Sequence, residues 1–126
     1  MFEPMLRACP SFASHWDAFL LEWADEPELP LYIALAELAR HLIAKEGIGD
    51  TSNFDAVFDV VERWHLEGDS YVKEAATIGL LEDLQNLNLH TTTKPDDFVR
   101  WLRPKSKRTW DKVSAFWSDV TSTEDD

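Results

Sequence analysis

The sequence predicts an all-α fold, and three observations carry that reading. Apolar residues recur at helical spacing in one segment after another, most glycines and prolines fall between those segments, and no run alternates apolar and polar side chains as a half-buried strand would. An apolar content of 44%, with six Trp and seven Phe, supplies a core for 126 residues and excludes a disordered chain despite 29% charged residues. The expectation is five to six helices in antiparallel hairpins, forming a compact bundle or a short HEAT-like α-solenoid. They make one domain over residues 1–120, followed by a polar acidic tail at 121–126.

Residues 2–8 form a short opening turn broken by Pro10. Ser11 is placed to cap a helix over 11–24, whose stripe is Phe12, Trp16, Phe19, Leu20 and Trp23. Asp25-Glu26-Pro27 ends it. Pro30 suits the first turn of a second helix reaching residue 46, with Ile33, Leu35, Leu38, Leu42 and Ile43 inward. Gly47 is the expected left-handed stop, and Gly49 loosens the loop. Asp50, Thr51 and Ser52 offer caps for a third helix over 53–67, lined by Phe54, Val57, Phe58, Val61, Trp64 and His65. Gly68 stops it and Asp69 caps a fourth, over 70–88, which buries Val72, Ala75, Ala76, Gly79, Leu80, Leu84 and Leu87. A glycine inside a helix costs about 1 kcal/mol against alanine, so Gly79 reads as a point of close helix approach. Pro95 opens a short helix to residue 102, and Pro104 opens the last, to about 119, with Trp110, Val113, Phe116 and Trp117 as its stripe. The hairpins at 11–46 and 52–88 repeat at a spacing near 40 residues, as HEAT-like pairs do.

Chemistry is sparse. Cys9 is the only cysteine, which excludes an intrachain disulfide and a thiolate zinc site and reads as an inert side chain. Four glycines leave little room for a phosphate cradle, and Gly-x-Ser-x-Gly and His-Glu-x-x-His are absent. Glu62 and His65 have the Glu-x-x-His spacing of a di-iron helix, but that motif needs a second copy, so no metal and no cofactor is expected. His65 instead reads as a packed side chain whose ring N–H is satisfied by a neighbour. Adjacent carboxylates such as Glu82-Asp83 and Asp96-Asp97 point apart on a helix and do not converge on a substrate. The chain reads as a non-enzyme.

Charge is more informative. The net charge is −12, and residues 1–93 already carry −12; residues 94–112 carry +4, and residues 113–126 carry −4. An acidic body repels phosphate backbones and attracts basic proteins, so no nucleic-acid partner is expected. The basic segment, with Arg100, Arg103, Lys105, Lys107, Arg108 and Lys112 around Trp101 and Trp110, reads as docking onto that body. Without a signal-like leader or a bilayer-length apolar run, no membrane association and a cytoplasmic location are expected. The third and fourth helices are the candidate partner-binding face. Asp59, Glu62, Glu67, Asp69, Glu74, Glu82 and Asp83 would steer a partner there, and Trp64 and Tyr71 would anchor it.

The stretch Val61-Glu62-Arg63-Trp64-His65-Leu66-Glu67-Gly68-Asp69-Ser70-Tyr71, running on to residue 86, resembles a bacterial family of small, acidic, helical proteins of unassigned function. So do Phe98-Val99-Arg100-Trp101-Leu102 and Trp110-Asp111-Lys112-Val113, and the resemblance covers about residues 11–118. Members of that family resemble the immunity proteins found beside polymorphic toxins of Rhs-type systems. The resemblance implies a protein that neutralises a cognate toxin domain by direct binding, with a helical adaptor or regulatory scaffold as the alternative. It implies no catalytic residue.

Overall fold

A computed structural model describes residues 2–125, with side chains through Trp117. It is all-helical: helix makes up 78% of the chain, and no strand occurs among the described residues. Seven α-helices are present there: α1 (Glu3–Ala8), α2 (Ala13–Glu22), α3 (Leu31–Gly47), α4 (Phe54–Glu67), α5 (Ser70–Ala75), α6 (Glu82–Gln85) and α7 (Pro104–Asp125). That exceeds the expected five to six because the opening turn is a helix of its own and the expected fourth helix is divided. Short 3-10 turns occupy Pro10–Phe12, Leu87–Leu89 and Pro95–Trp101. Helix α7 continues through the region expected to be a separate tail, and Asp126 lies outside the described residues.

Helix α3 is the central element. Ala34, Leu35, Leu38, Ala39 and Leu42 are fully buried, and its main partner is the wide π-helical turn Ala76–Leu81 that joins α5 to α6. Gly79 lies at that contact. A Cβ there would sit 2.9 Å from Leu35 Cβ and 3.3 Å from Tyr32 Cα, so the close approach inferred from sequence is real. Helix α4 buries all six residues of its expected stripe and packs against α1, α5 and α7. One core runs through the molecule, from Phe2, Met5, Phe12 and Phe19 at one side to Phe54, Phe58, Phe98 and Trp110 at the other.

Several local expectations are corrected. Ser11 caps nothing; its hydroxyl is 2.8 Å from His41 Nε2, because α2 is entered through a 3-10 turn instead of a capped start. Gly47 is still helical, and the positive φ falls on Gly49, at 75°. Asp50 turns back to Lys45, at 2.9 Å, and Ser52 donates to Asp50, so neither caps α4; its N-cap is Asn53, with no side-chain bond. The stripes also overreach at their ends. Ile33, Leu87, Phe116 and Trp117 are exposed, and Leu20 is at the surface. Asn86 is already extended, so the fourth helical run stops at residue 85 and not at 88.

Candidate protein-binding face

Helix α4 turns sharply into α5, and local chemistry builds the corner. Gly68 is extended, with φ −68° and ψ 155°. A Cβ there would lie 2.6 Å from the Trp64 carbonyl oxygen and against Val72, so only glycine fits for want of space, not for a left-handed backbone. Asp69 then caps α5: its Oδ1 accepts from Val72 N–H at 2.9 Å.

The nine residues assigned to a partner from sequence separate into distinct roles on this frame. Glu67 and Glu74 are exposed, and so is Asp69, although its carboxylate is engaged in the cap. Tyr71 is 43% exposed and meets Tyr32 edge-on, with ring centroids 5.8 Å apart. Burial, and then the charge of Glu74, hold the Tyr32 hydroxyl above its usual range. Asp59 is paired with Arg63 at 3.5 Å. Trp64 is 6% exposed, and its ring lies 5.8 Å from Phe2, so most of its area belongs to the core.

Glu62 faces away from this corner. Its carboxylate accepts from Lys105 N–H at 2.9 Å and from Ser106 N–H and Oγ–H at 2.8 Å each. It therefore caps the first turn of α7 from a distance. Burial pushes its carboxyl upward, but these hydrogen bonds outweigh that and leave it below the ordinary value. Glu82 and Asp83 follow the π-helical turn, about 10 Å along the helix from Glu74. Both are half-buried with carboxyls raised by that burial; Asp83 adds to the rise at Glu82, and Arg40 moderates it at Asp83. They do not join Glu67, Asp69 and Glu74.

The structure adds neighbours that the sequence did not single out. Beside Tyr71 is an open cleft of about 430 Å³, lined by Phe2, Trp16, Glu28, Leu29, Leu31 and Tyr71. Phe2 and Trp16 stack with centroids 4.3 Å apart. On the other side of the corner, Trp64 and Glu67 line a second cleft of about 440 Å³ with Glu3 and Arg63. Four elements distant in sequence meet here, and only tertiary packing brings Phe2, Trp16 and Glu28 to Tyr71.

Other candidate chemistry is occupied. Both ring nitrogens of His65 are engaged, Nδ1 at 2.9 Å from the Val61 carbonyl and Nε2 at 3.3 Å from Thr77 Oγ1. Burial keeps that ring neutral by lowering its pKa. No cluster of three metal-ligating side chains occurs among the described residues. Cys9 is fully buried, with its Sγ 3.5 Å from Ser11 Oγ. The Ser11–His41 contact has a second histidine beside it, His15 at 5.0 Å between ring centroids, rather than an orienting carboxylate. The basic segment lies on the acidic body as its charge implied: Arg103 pairs with Asp55 at 2.8 Å, Glu62 holds the start of α7, and Trp110 is buried. No helix among the described residues is long and apolar enough to cross a membrane.

A family described as a domain of unknown function, DUF7674, matches residues 2–118. The chain belongs to that family. The match takes in α1 to α6 and most of α7, so the DUF7674 domain includes both the corner and the cleft beside Tyr71. No curated protein and no solved structure matches the chain.

Proposed function

We propose that this DUF7674 domain is a protein-binding module, and in its most concrete form an immunity protein that neutralises a cognate bacterial toxin domain by direct binding. The observation that carries the reading is Tyr71. An aromatic ring 43% exposed lines an open cleft with Phe2 and Trp16, and Glu67, Asp69 and Glu74 are exposed along the same α4–α5 corner. Exposed carboxylates steer a basic partner and a ring in an apolar cleft anchors it, which is the division of labour of protein interfaces. The body that bears this face carries the chain's whole net charge of −12. The family resemblance around residues 61–86 supports the immunity form, and the pairing of α2 with α3 and of α4 with α5 supports reading the hairpins as HEAT-like units.

The test is co-expression with the product of the neighbouring gene, followed by binding kinetics. Glu67→Lys and Glu74→Lys should slow association and reduce its salt dependence, because exposed charges act over a Debye length of about 8 Å at physiological ionic strength. Tyr71→Ala should speed dissociation, by about tenfold or more if the ring is an anchor. Asp69 is unsuitable for charge reversal because its carboxylate caps α5. Wild-type kinetics for all three variants would place the interface elsewhere. A stable partner that is no toxin would favour the adaptor.

A further inference from the structure

We propose that the cleft between Phe2, Trp16, Glu28 and Tyr71 receives an arginine side chain of the protein partner. This rests on the protein-binding reading and names the chemistry of its central contact. The walls of the cleft are aromatic or aliphatic, and Glu28 is the only charged residue among the described residues that line it. A side chain that fits must be apolar along its length and cationic at its end, as lysine and arginine are.

The charge at Glu28 is available for such a partner. Four other carboxylates are paired within the chain: Asp50 with Lys45, Asp55 with Arg103, Asp59 with Arg63 and Asp111 with Lys107. Glu28 has no cation within ion-pairing distance among the described residues. The clefts on the α1–α4 side contain Arg63, and one of them Arg7 as well, which makes them poor receivers of a further cation. The Tyr71 cleft combines an apolar wall with a carboxylate, and no Lys or Arg is among the described residues that line it. Glu74, held against the Tyr32 hydroxyl beside Tyr71, adds negative potential at its margin.

Guanidinium fits better than ammonium. It is planar and weakly hydrated, it lies on aromatic surfaces, and it can pair with a carboxylate at the same time. The chain already makes a contact of this kind, with the Arg100 guanidinium carbon 5.1 Å from the centre of the Trp101 ring. Phe2, at 3% exposure, forms the floor, and the more accessible Trp16 and Tyr71 form the sides.

The cleft can be tested without the partner. Three pentapeptides with blocked termini and no other charged residue, which differ only in a central arginine, lysine or citrulline, are titrated into the 15N-labelled protein, with the Trp16 indole N–H assigned through Trp16→Phe. The arginine peptide should shift the Trp16 indole and the Tyr71 ring signals saturably. The lysine peptide should bind about threefold more weakly, and citrulline, which keeps the shape without the charge, should leave both unmoved. Glu28→Gln should weaken arginine binding roughly three- to fivefold, the range for an exposed ion pair, and Tyr71→Ala should do the same through the lost ring. Both positions are at the surface, so unchanged melting temperatures accompany these losses. Equal binding of the citrulline or lysine peptide overturns the proposal. So does unchanged binding by Glu28→Gln, or shifts confined to Glu67 and Asp69. The protein-binding reading stands or falls separately. A neighbouring gene product captured equally well by wild type and by Glu28→Gln, but poorly by Glu67→Lys or Glu74→Lys, refutes the arginine cleft alone. Arginine binding at Trp16 with no protein captured counts against the partner and not against the cleft.

Discussion

Truncating Glu62 should loosen α7 from the body, and the size of the effect follows from the geometry. The carboxylate accepts three hydrogen bonds, two of them from N–H groups in the first turn of α7, where no intrahelical acceptor exists. A hydrogen bond to a charged group contributes about 1.5–3 kcal/mol, and losing a side-chain cap costs about 0.5–2 kcal/mol. The three bonds share one half-exposed carboxylate and do not add, but Ser106 is fully buried and would keep an unsatisfied hydroxyl. The net cost of Glu62→Ala is about 2 kcal/mol, a fall in Tm of roughly 8 °C for a domain of this size. Glu62→Gln retains one acceptor oxygen and should lose about half as much. The folded carboxyl titrates below the ordinary glutamate value of 4.5. Its contribution is therefore complete above that value and is lost as pH falls through the lower folded pKa, so the gap between wild type and Glu62→Gln should close on acidification. Thermal melts by circular dichroism at neutral and acidic pH measure both. If Glu62→Ala melts within about 1 °C of wild type while partner binding collapses, Glu62 is a recognition residue and the capping argument is wrong.

Three further outcomes are expected. Gly79→Ala gains up to about 1 kcal/mol of helix propensity but forces Leu35 and the backbone at Tyr32 apart, at about 1–3 kcal/mol, so chemical denaturation should show a net loss of about 1 kcal/mol. His65 is buried and its pKa is lowered, so unfolding takes up a proton there below its ordinary value of 6.5; stability should fall as pH drops from that value through the folded pKa, and His65→Gln should flatten that part of the Tm–pH curve. Glu82 has the opposite sign: its carboxyl is raised by burial and by Asp83, so Glu82→Gln should raise Tm at pH 7 and lose that advantage below the ordinary carboxyl value of 4.5.

Much of the fold was legible because it is written locally. The α4 stripe from Phe54 to His65, the Asp69 cap and the contact at Gly79 follow from spacing and from the chemistry of single residues. What escaped is nonlocal. Ile33, exposed at 41%, reads from sequence as inward with Leu35, yet two residues apart on a helix they face opposite ways, and Ile33 shares its face with Glu37 and Arg40. Ser11 offers the same hydroxyl to a helix start or to His41, and only the packing of α3 decides between them. The acidic set of α4 to α6 forms one face by sequence spacing, yet the chain folds it three ways: Glu62 under α7, Glu67 and Glu74 at the corner, Glu82 and Asp83 beyond the π-helical turn. The backbone N–H groups that claim Glu62 lie 43 and 44 residues further along, outside any local pattern.

The long reach of these attachments governs the order in which the molecule assembles. Helix α7 is tied down by Gln85 to the Trp110 carbonyl across 25 residues, by Glu62 across 43 and 44, and by Asp55 to Arg103 across 48. Loops of that length close only after the intervening chain has ordered, whereas the α4–α5 corner can form from neighbours. Helix α7 is accordingly laid down late and lifts off early, through an opening that leaves α3 intact. Amide hydrogen exchange should then divide the protein into two cooperative units: Lys105 and Ser106 exchanging through this partial opening, and Leu38 and Leu42 only when the whole chain unfolds.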